Sequence, residues 1–254
     1  MILVVAGTRD GREIAAELAA LGYPVLVSVV SEYGRQLSEQ ANLQVSACPL
    51  DGDGFADLIA QRGITAVVDA SHPYATGVSG NAAAACERCG IHYLRYERPV
   101  APLPQYDRLH VVADAQEAAQ VAAGLGTVVF LTTGSRTLKV FKNEPLLAGH
   151  RLIARVLPEE QVIAECTALG FTPEDIVALQ GPFSHKFNVA LFKEYVSEVI
   201  VTKNSGLVGG ADSKFSAAIE LGLPLVVIDR PQTLAQNSVS SLEDVIRYVK
   251  EAFS

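Results

Sequence analysis

Thr65-Ala66-Val67-Val68-Asp69-Ala70-Ser71-His72-Pro73-Tyr74-Ala75 reads as the end of a buried strand, a turn and the start of a helix. The first residues form a small and β-branched apolar run, and an alanine-rich stretch of helical period follows at 76–89. Pro73 suits a helix start, but neither fold nor capping calls for His72 or Tyr74 beside it. Ligands of open α/β sheets bind outside the carboxyl ends of strands. The junction is therefore a candidate site.

The same alternation runs outward in both directions. Strands are expected at 2–6, 25–30, 44–47, 65–69 and 92–96, with helices at 10–21, 33–40, 53–62 and 76–89. Arg98-Pro99-Val100-Ala101-Pro102-Leu103-Pro104-Gln105 then interrupts the pattern. Beyond it, strands are expected at 108–112, 127–132, 151–156, 176–179, 197–202 and 224–228, with helices near 114–123, 158–169, 184–195, 213–221 and 241–252. The expected class is α/β: two Rossmann-like domains with mainly parallel sheets and a cleft between them. Residues 1–98 form the first, cofactor-binding domain and 99–106 the linker. Residues 107–254 form the second domain, which contributes to a substrate site.

Bulk properties agree with a globular chain. It has 254 residues, 49% of them hydrophobic and 19% charged, enough apolar surface for sizeable cores. A net charge of -8 argues against a general nucleic-acid or membrane-surface binder. No apolar run reaches the ~18 residues of a membrane span. Met1-Ile2-Leu3-Val4-Val5-Ala6-Gly7 reads as a first strand, not a signal peptide, so a cytoplasmic location is expected. Cys86-Glu87-Arg88-Cys89 has CxxC spacing, but it lies in a helical pattern without a second pair. Reduced thiols and no metal site are expected.

The turn Ala6-Gly7-Thr8-Arg9-Asp10-Gly11 follows the first strand and opens a helix, where exposed amides suit a phosphate. It departs from GxGxxG, because position 6 is Ala and position 9 is Arg. At the end of the second strand, Ser31 and Arg35 suit a 2′-phosphate, whereas Glu32 suits a free ribose. NADPH is the favoured coenzyme, with NADH possible. Further polar strand-end turns contain Arg95, Ser135, Arg155, Ser184, Lys203 and Ser205, with Lys214 beyond the last. Cations and hydroxyls of this kind suit carboxylates or phosphates.

No Tyr-x-x-x-Lys pair, GxxxxGK[ST] loop, HExxH or GxSxG elbow occurs in the chain. Without a nucleophile–base pair, hydride chemistry carried by a coenzyme fits best. Two other readings stand beside it. One is a non-catalytic dinucleotide-sensing protein. The other is an unrelated NAD(P)-dependent reductase of a small ketone or sugar, against which the missing Tyr-x-x-x-Lys counts.

Gly7-Thr8-Arg9-Asp10-Gly11-Arg12, the 69–75 stretch and Arg95-Tyr96-Glu97-Arg98-Pro99 occur in that order. Thr132-Thr133-Gly134-Ser135, Arg155-Val156-Leu157-Pro158, Gln180-Gly181-Pro182-Phe183-Ser184 and Thr202-Lys203-Asn204-Ser205-Gly206 follow. This series resembles the precorrin-6A reductase family of cobalamin biosynthesis, including its cobalt-precorrin-6A branch. Ala6 departs from a second glycine frequent in that family. The resemblance implies hydride transfer from a nicotinamide coenzyme to one double bond of a tetrapyrrole bearing many carboxylates. It implies Gly7, Thr8, Arg9, Gly11 and Ser71 at the coenzyme, with Ser31 and Arg35 near its adenosine ribose. His72 and Lys203 are the expected catalytic residues. Tyr74, Arg95, Ser135, Arg155, Ser184, Ser205 and Lys214 are the expected substrate contacts.

Overall fold

The computed structural model describes residues 1–30, 32–40, 43–47, 51–231 and 237–253. The chain begins with β1 (Ile2–Ala6), α1 (Arg9–Ala20), β2 (Val25–Val29), α2 (Glu32–Gln40) and β3 (Gln44–Ala47). It continues with α3 (Gly52–Arg62), β4 (Ala66–Ala70), α4 (Thr76–Cys89) and β5 (His92–Tyr96). These strands pair in parallel in the order β5-β4-β1-β2-β3. Every residue of β1, β2 and β4 is buried, as a parallel sheet covered on both faces requires. Alternate residues of β1 serve opposite faces: Ile2 and Val4 join one core, Leu3 and Val5 the other.

The second stretch runs β6 (Leu109–Val112), α5 (Ala115–Ala123), β7 (Val128–Leu131), α6 (Leu138–Asn143), β8 (Arg151–Val156) and α7 (Glu160–Ala168). Then come β9 (Ile176–Ala178), α8 (His185–Glu194), β10 (Val199–Lys203), α9 (Ala211–Glu220) and β11 (Leu225–Ile228). Its parallel sheet has the order β6-β11-β10-β7-β8-β9. Helix α6 was not expected from the pattern; it spans only 6 residues, anchored by the buried Leu138 and Phe141.

Strand order locates the ligand crevices. In the first sheet the chain leaves β1 toward β2 and β3, then returns to place β4 on the other side of β1. The loops after β1 and β4 therefore diverge and leave a gap at their carboxyl ends. In the second sheet the same reversal falls between β7 and β10. Such topological switch points are where doubly wound sheets bind ligands.

The last segment corrects the expected boundary. The chain forms two compact units, Met1–Arg98 with Pro231–Ser254, and Pro99–Arg230. Residues 107–254 are thus not one domain. The short strand β12 (Ser238–Val239) pairs with β5 as the sixth strand of the first sheet. Arg95 N donates to Asn237 O at 2.9 Å and Glu97 N to Val239 O at 2.8 Å. Helix α10 (Leu242–Ala252) then buries Val245 and Val249 in the first unit's core. The pairing covers the β5 edge, which otherwise presents open backbone groups. A strand of 2 residues carries no readable alternation, so the sequence reveals the helix but not its destination.

Candidate functional site

At the first switch point the glycine turn separates into two roles. Gly7 is exposed, and a Cβ built on it meets nothing within 4 Å, so the approach to the α1 terminus is open. Gly11 is buried instead; a Cβ there would lie 2.8 Å from Ala6 Cβ and 3.0 Å from Ala6 Cα. It lets α1 pack directly on β1, the task of the third glycine in a dinucleotide fingerprint. Thr8 is the N-cap: its Oγ1 accepts from Gly11 N at 3.2 Å and donates to Ala70 O at 3.2 Å. These features fit a coenzyme diphosphate at the start of α1. Gly11→Ala must displace β1 backbone, so an expected loss of about 1–3 kcal/mol follows. Chemical denaturation checks it, and unchanged stability would remove the close-packing argument.

Arg9 is exposed and paired with Glu13 at 2.7 Å. Asp10, buried in the first helical turn, is paired with Arg98 at 2.9 Å. Arg35 lies on α2 in an i,i+4 pair with Glu39. Ser31 lies outside the described residues.

The β4 end is built around Asp69, which is 0% exposed. Its Oδ1 meets Arg95 Nη1 at 2.9 Å and accepts from Ser71 N at 3.0 Å. Oδ2 accepts from Tyr93 Oη at 2.9 Å. Arg95 is itself 1% exposed and also donates to Ser71 Oγ at 2.9 Å. Arg95, expected to hold substrate, thus has a carboxylate of the protein on its Nη1. Ser71 Oγ also lies 3.3 Å from Ser79 Oγ. The loop so fixed carries half-buried His72 and Tyr74, with ring centroids 5.6 Å apart. Nδ1 of His72 accepts from Tyr74 N at 3.3 Å, which places the proton of a neutral ring on Nε2.

The second switch point is cationic. Lys203 ends β10 and reaches across to donate from Nζ to Thr133 O, after β7, at 2.9 Å. Burial, with help from Arg136, pushes its ammonium down to about 8. Lys214 in α9 is 6% exposed and donates to Gly209 O only at 3.5 Å. Burial and the charges of Arg155 and Lys203 bring it to about 7, against a partial compensation by Asp212. Arg155 in β8 is buried, lies over the Phe183 ring at 4.9 Å and is lowered to about 10 by burial. Three expected residues from separate elements, Arg155, Lys203 and Lys214, thus meet electrostatically.

The serines are less clearly placed. Ser184 caps α8 by accepting from Phe187 N at 3.2 Å. Ser205 donates to Gly209 O at 3.4 Å in a tight turn, where a Cβ on Gly209 would overlap its Oγ. Ser135 opens a short 3-10 turn and is half-buried. Sequence reasoning missed Asp69 as the organiser of its own loop, and it missed Asn188, which is 0% exposed beside Arg155. An acid in an apolar strand was a usable signal for the first. A lone Asn in a helical pattern gave none for the second.

Among the described residues no group of His, Cys, Asp and Glu is arranged to hold a metal ion. Cys86 is buried and pushed up to about 12 by that burial, whereas Cys89 is exposed. No helix among the described residues is long and apolar enough to cross a membrane.

Fold and site together define a doubly wound α/β protein, with a glycine turn opening α1 in one unit and a cluster of buried and half-buried cations in the other. The family model described as "Precorrin-6x reductase CbiJ/CobK" matches residues 1–250. A cobalt-precorrin-6A reductase of Priestia megaterium is 41% identical over 247 residues, 97% of this chain and 96% of that protein. A precorrin-6A reductase of Rhodococcus erythropolis is 34% identical over 235 residues, 91% and 89% of the two chains. A solved structure of "CobK precorrin-6A reductase" superposes with a TM-score of 0.82 at 28% identity, covering 99% of this chain and 96% of that one. The chain belongs to the precorrin-6x reductase family of cobalamin biosynthesis.

Proposed function

We propose that the chain reduces one double bond of precorrin-6A or cobalt-precorrin-6A, using NADPH as hydride donor, with NADH as the second choice. The observation that carries this reading is the cluster of Arg155, Lys203 and Lys214 at the second switch point. Buried cations pushed below their ordinary range are costly without an anion. A macrocycle bearing many carboxylates supplies one. In the first unit, Gly7 and the start of α1 capped by Thr8 hold the diphosphate, with Gly11 allowing the close packing beneath it, and Arg35 reaches the 2′-phosphate after leaving a surface pair worth little. The reduced nicotinamide supplies the hydride. His72 presents Nε2–H to the reacting partners, Lys203 holds a peripheral carboxylate, and the two units orient what they bind.

Anaerobic incubation with metal-free or cobalt-bearing precorrin-6A, each with NADPH or NADH, tests the reading. Oxidation of coenzyme in at least one combination is expected, and the four rates select metal state and coenzyme. Lack of turnover in all four would end it. Lys203→Ala is expected to raise the macrocycle KM or lower kcat by roughly 30-fold or more, the cost of truncating a largely desolvated charge contact. Coenzyme affinity should stay near the parent value. A collapse of coenzyme binding would reassign Lys203.

Stability and substrate affinity respond to pH in opposite directions. Lys214 and Lys203 titrate at about 7 and about 8, below their ordinary value of 10.5. Between about 7 and 10.5 the unfolded chain therefore binds more protons, and stability rises with pH. Anion binding needs the ammonium forms, so substrate KM rises over the same window. Thermal melts and KM measured from pH 6 to 10 check both, and a KM that stays flat or falls while stability rises would contradict the assignment.

A further inference from the structure

The buried arginines Arg95, Arg98 and Arg155 are handled in two different ways. Arg95 meets Asp69 at 2.9 Å and Arg98 meets Asp10 at 2.9 Å, so in the first unit each charge is neutralised by a carboxylate. Arg155 meets an amide instead: its Nη1 donates to Asn188 Oδ1 at 2.7 Å. Among the described residues no carboxylate pairs with it, and burial lowers it with no opposing charge to raise it. Asn188 is tied on its other side as well, its Nδ2 donating to Ser184 O at 3.0 Å and to Ser213 Oγ at 3.3 Å. Ser213 Oγ in turn donates to Phe183 O at 2.9 Å, and the Phe183 ring lies under the guanidinium.

We infer that Asn188 is a positioning residue for substrate recognition: it orients Arg155 while leaving the positive charge uncompensated for a substrate carboxylate. An aspartate at this place would reach the same nitrogen and cancel the charge. An apolar residue would leave the charge intact but the fork free to swing. Only a neutral acceptor does both jobs, and Asn also supplies the donors that join the 181–184 turn to α9. The inference rests on the proposed reading that the second-unit cluster binds the carboxylates of the macrocycle.

Asn188→Asp and Asn188→Ala, each alone and combined with Arg155→Gln, test it with the full-length protein. Folding is followed by thermal melting, coenzyme binding by fluorescence, and the substrate by steady-state KM and kcat. Asn188→Asp is expected to raise the macrocycle KM by roughly 10-fold or more, with coenzyme affinity unchanged. Asn188→Ala is expected to raise KM less, because the cation survives. In the Arg155→Gln background both effects should shrink to within about two-fold, since residues acting through one another are non-additive. Should Asn188→Asp fail to fold, because its carboxylate faces the Ser184 carbonyl, Asn188→Ala and its double variant carry the decision.

A KM within two-fold of the parent in a folded single variant, or effects that persist without Arg155, would overturn the inference. Uroporphyrin, a tetrapyrrole octacarboxylate, separates this failure from failure of the proposed function. If the parent binds the probe and Asn188→Asp does not, the positioning role stands even without turnover of precorrin-6A. If the parent turns over precorrin-6A and the variants match it, the positioning role alone falls.

Discussion

Asp69→Ala lowers the free energy of unfolding by about 3–5 kcal/mol, because it removes the nearer carboxylate of a buried cation and leaves, among the described residues, only Glu97 at 3.5 Å. Arg95 is 1% exposed. The substitution also removes the acceptor of Ser71 N and of Tyr93 Oη. Each buried donor left unmade adds to the cost. Asp69→Asn keeps the shape and some of the hydrogen bonds but not the charge, so it should fall between parent and Ala variant. Equilibrium urea unfolding measures both, with the slope compared to detect a changed transition. Stability of the Ala variant within about 0.5 kcal/mol of the parent, the range of ordinary surface changes, would mean that the pair does not hold the β4 end. The functional consequence is local, since Asp69 and Arg95 fix Ser71 and with it the loop bearing His72 and Tyr74.

Lys214→Met has the opposite sign for stability and a large negative effect on function. The ammonium is buried, reaches one carbonyl at 3.5 Å and is repelled by Arg155 and Lys203. Replacing it with an apolar chain of similar length removes desolvation and repulsion together, so the ligand-free protein should gain about 1–3 kcal/mol. The same change deletes a charge intended for the substrate, and KM should rise by roughly 30-fold or more. A gain in melting temperature joined to a loss of substrate affinity is the signature of a strained, functional cluster. Destabilisation with unchanged KM would make Lys214 a structural lysine and undo the case for an anion site in the second unit.

The roles of the small residues show where sequence reading reaches its limit. Thr8 and Ser184 fill hydrogen-bonding positions at helix starts, as any βα turn requires. A motif read as ligand contact can be partly capping, and only the acceptor distances separate the two. Arg95 shows the same limit more sharply. As one letter at a strand end it looks like a cation for a ligand. Its partner, Asp69, lies 26 residues earlier, and nothing in the intervening pattern announces the pair. Lys203 is a second case: its acceptor, Thr133 O, lies 70 residues away and leaves no trace in the turn around it.

The alternation of apolar runs and helical periods determined, without coordinates, the strands other than β12, most helices and the parallel sheets. Those are local properties, set by periodicity, capping and turn chemistry within a few residues. Three things waited for the tertiary structure: the return of β12 and α10 to the first unit, the neutralisation of Arg95, and the convergence of Arg155, Lys203 and Lys214 with Asn188. Each depends on which strand lies beside which, and strand order is decided by burial and edge pairing across the whole sheet. A two-residue strand or a single buried charge leaves no periodic trace in the sequence. Its partner is chosen by the fold.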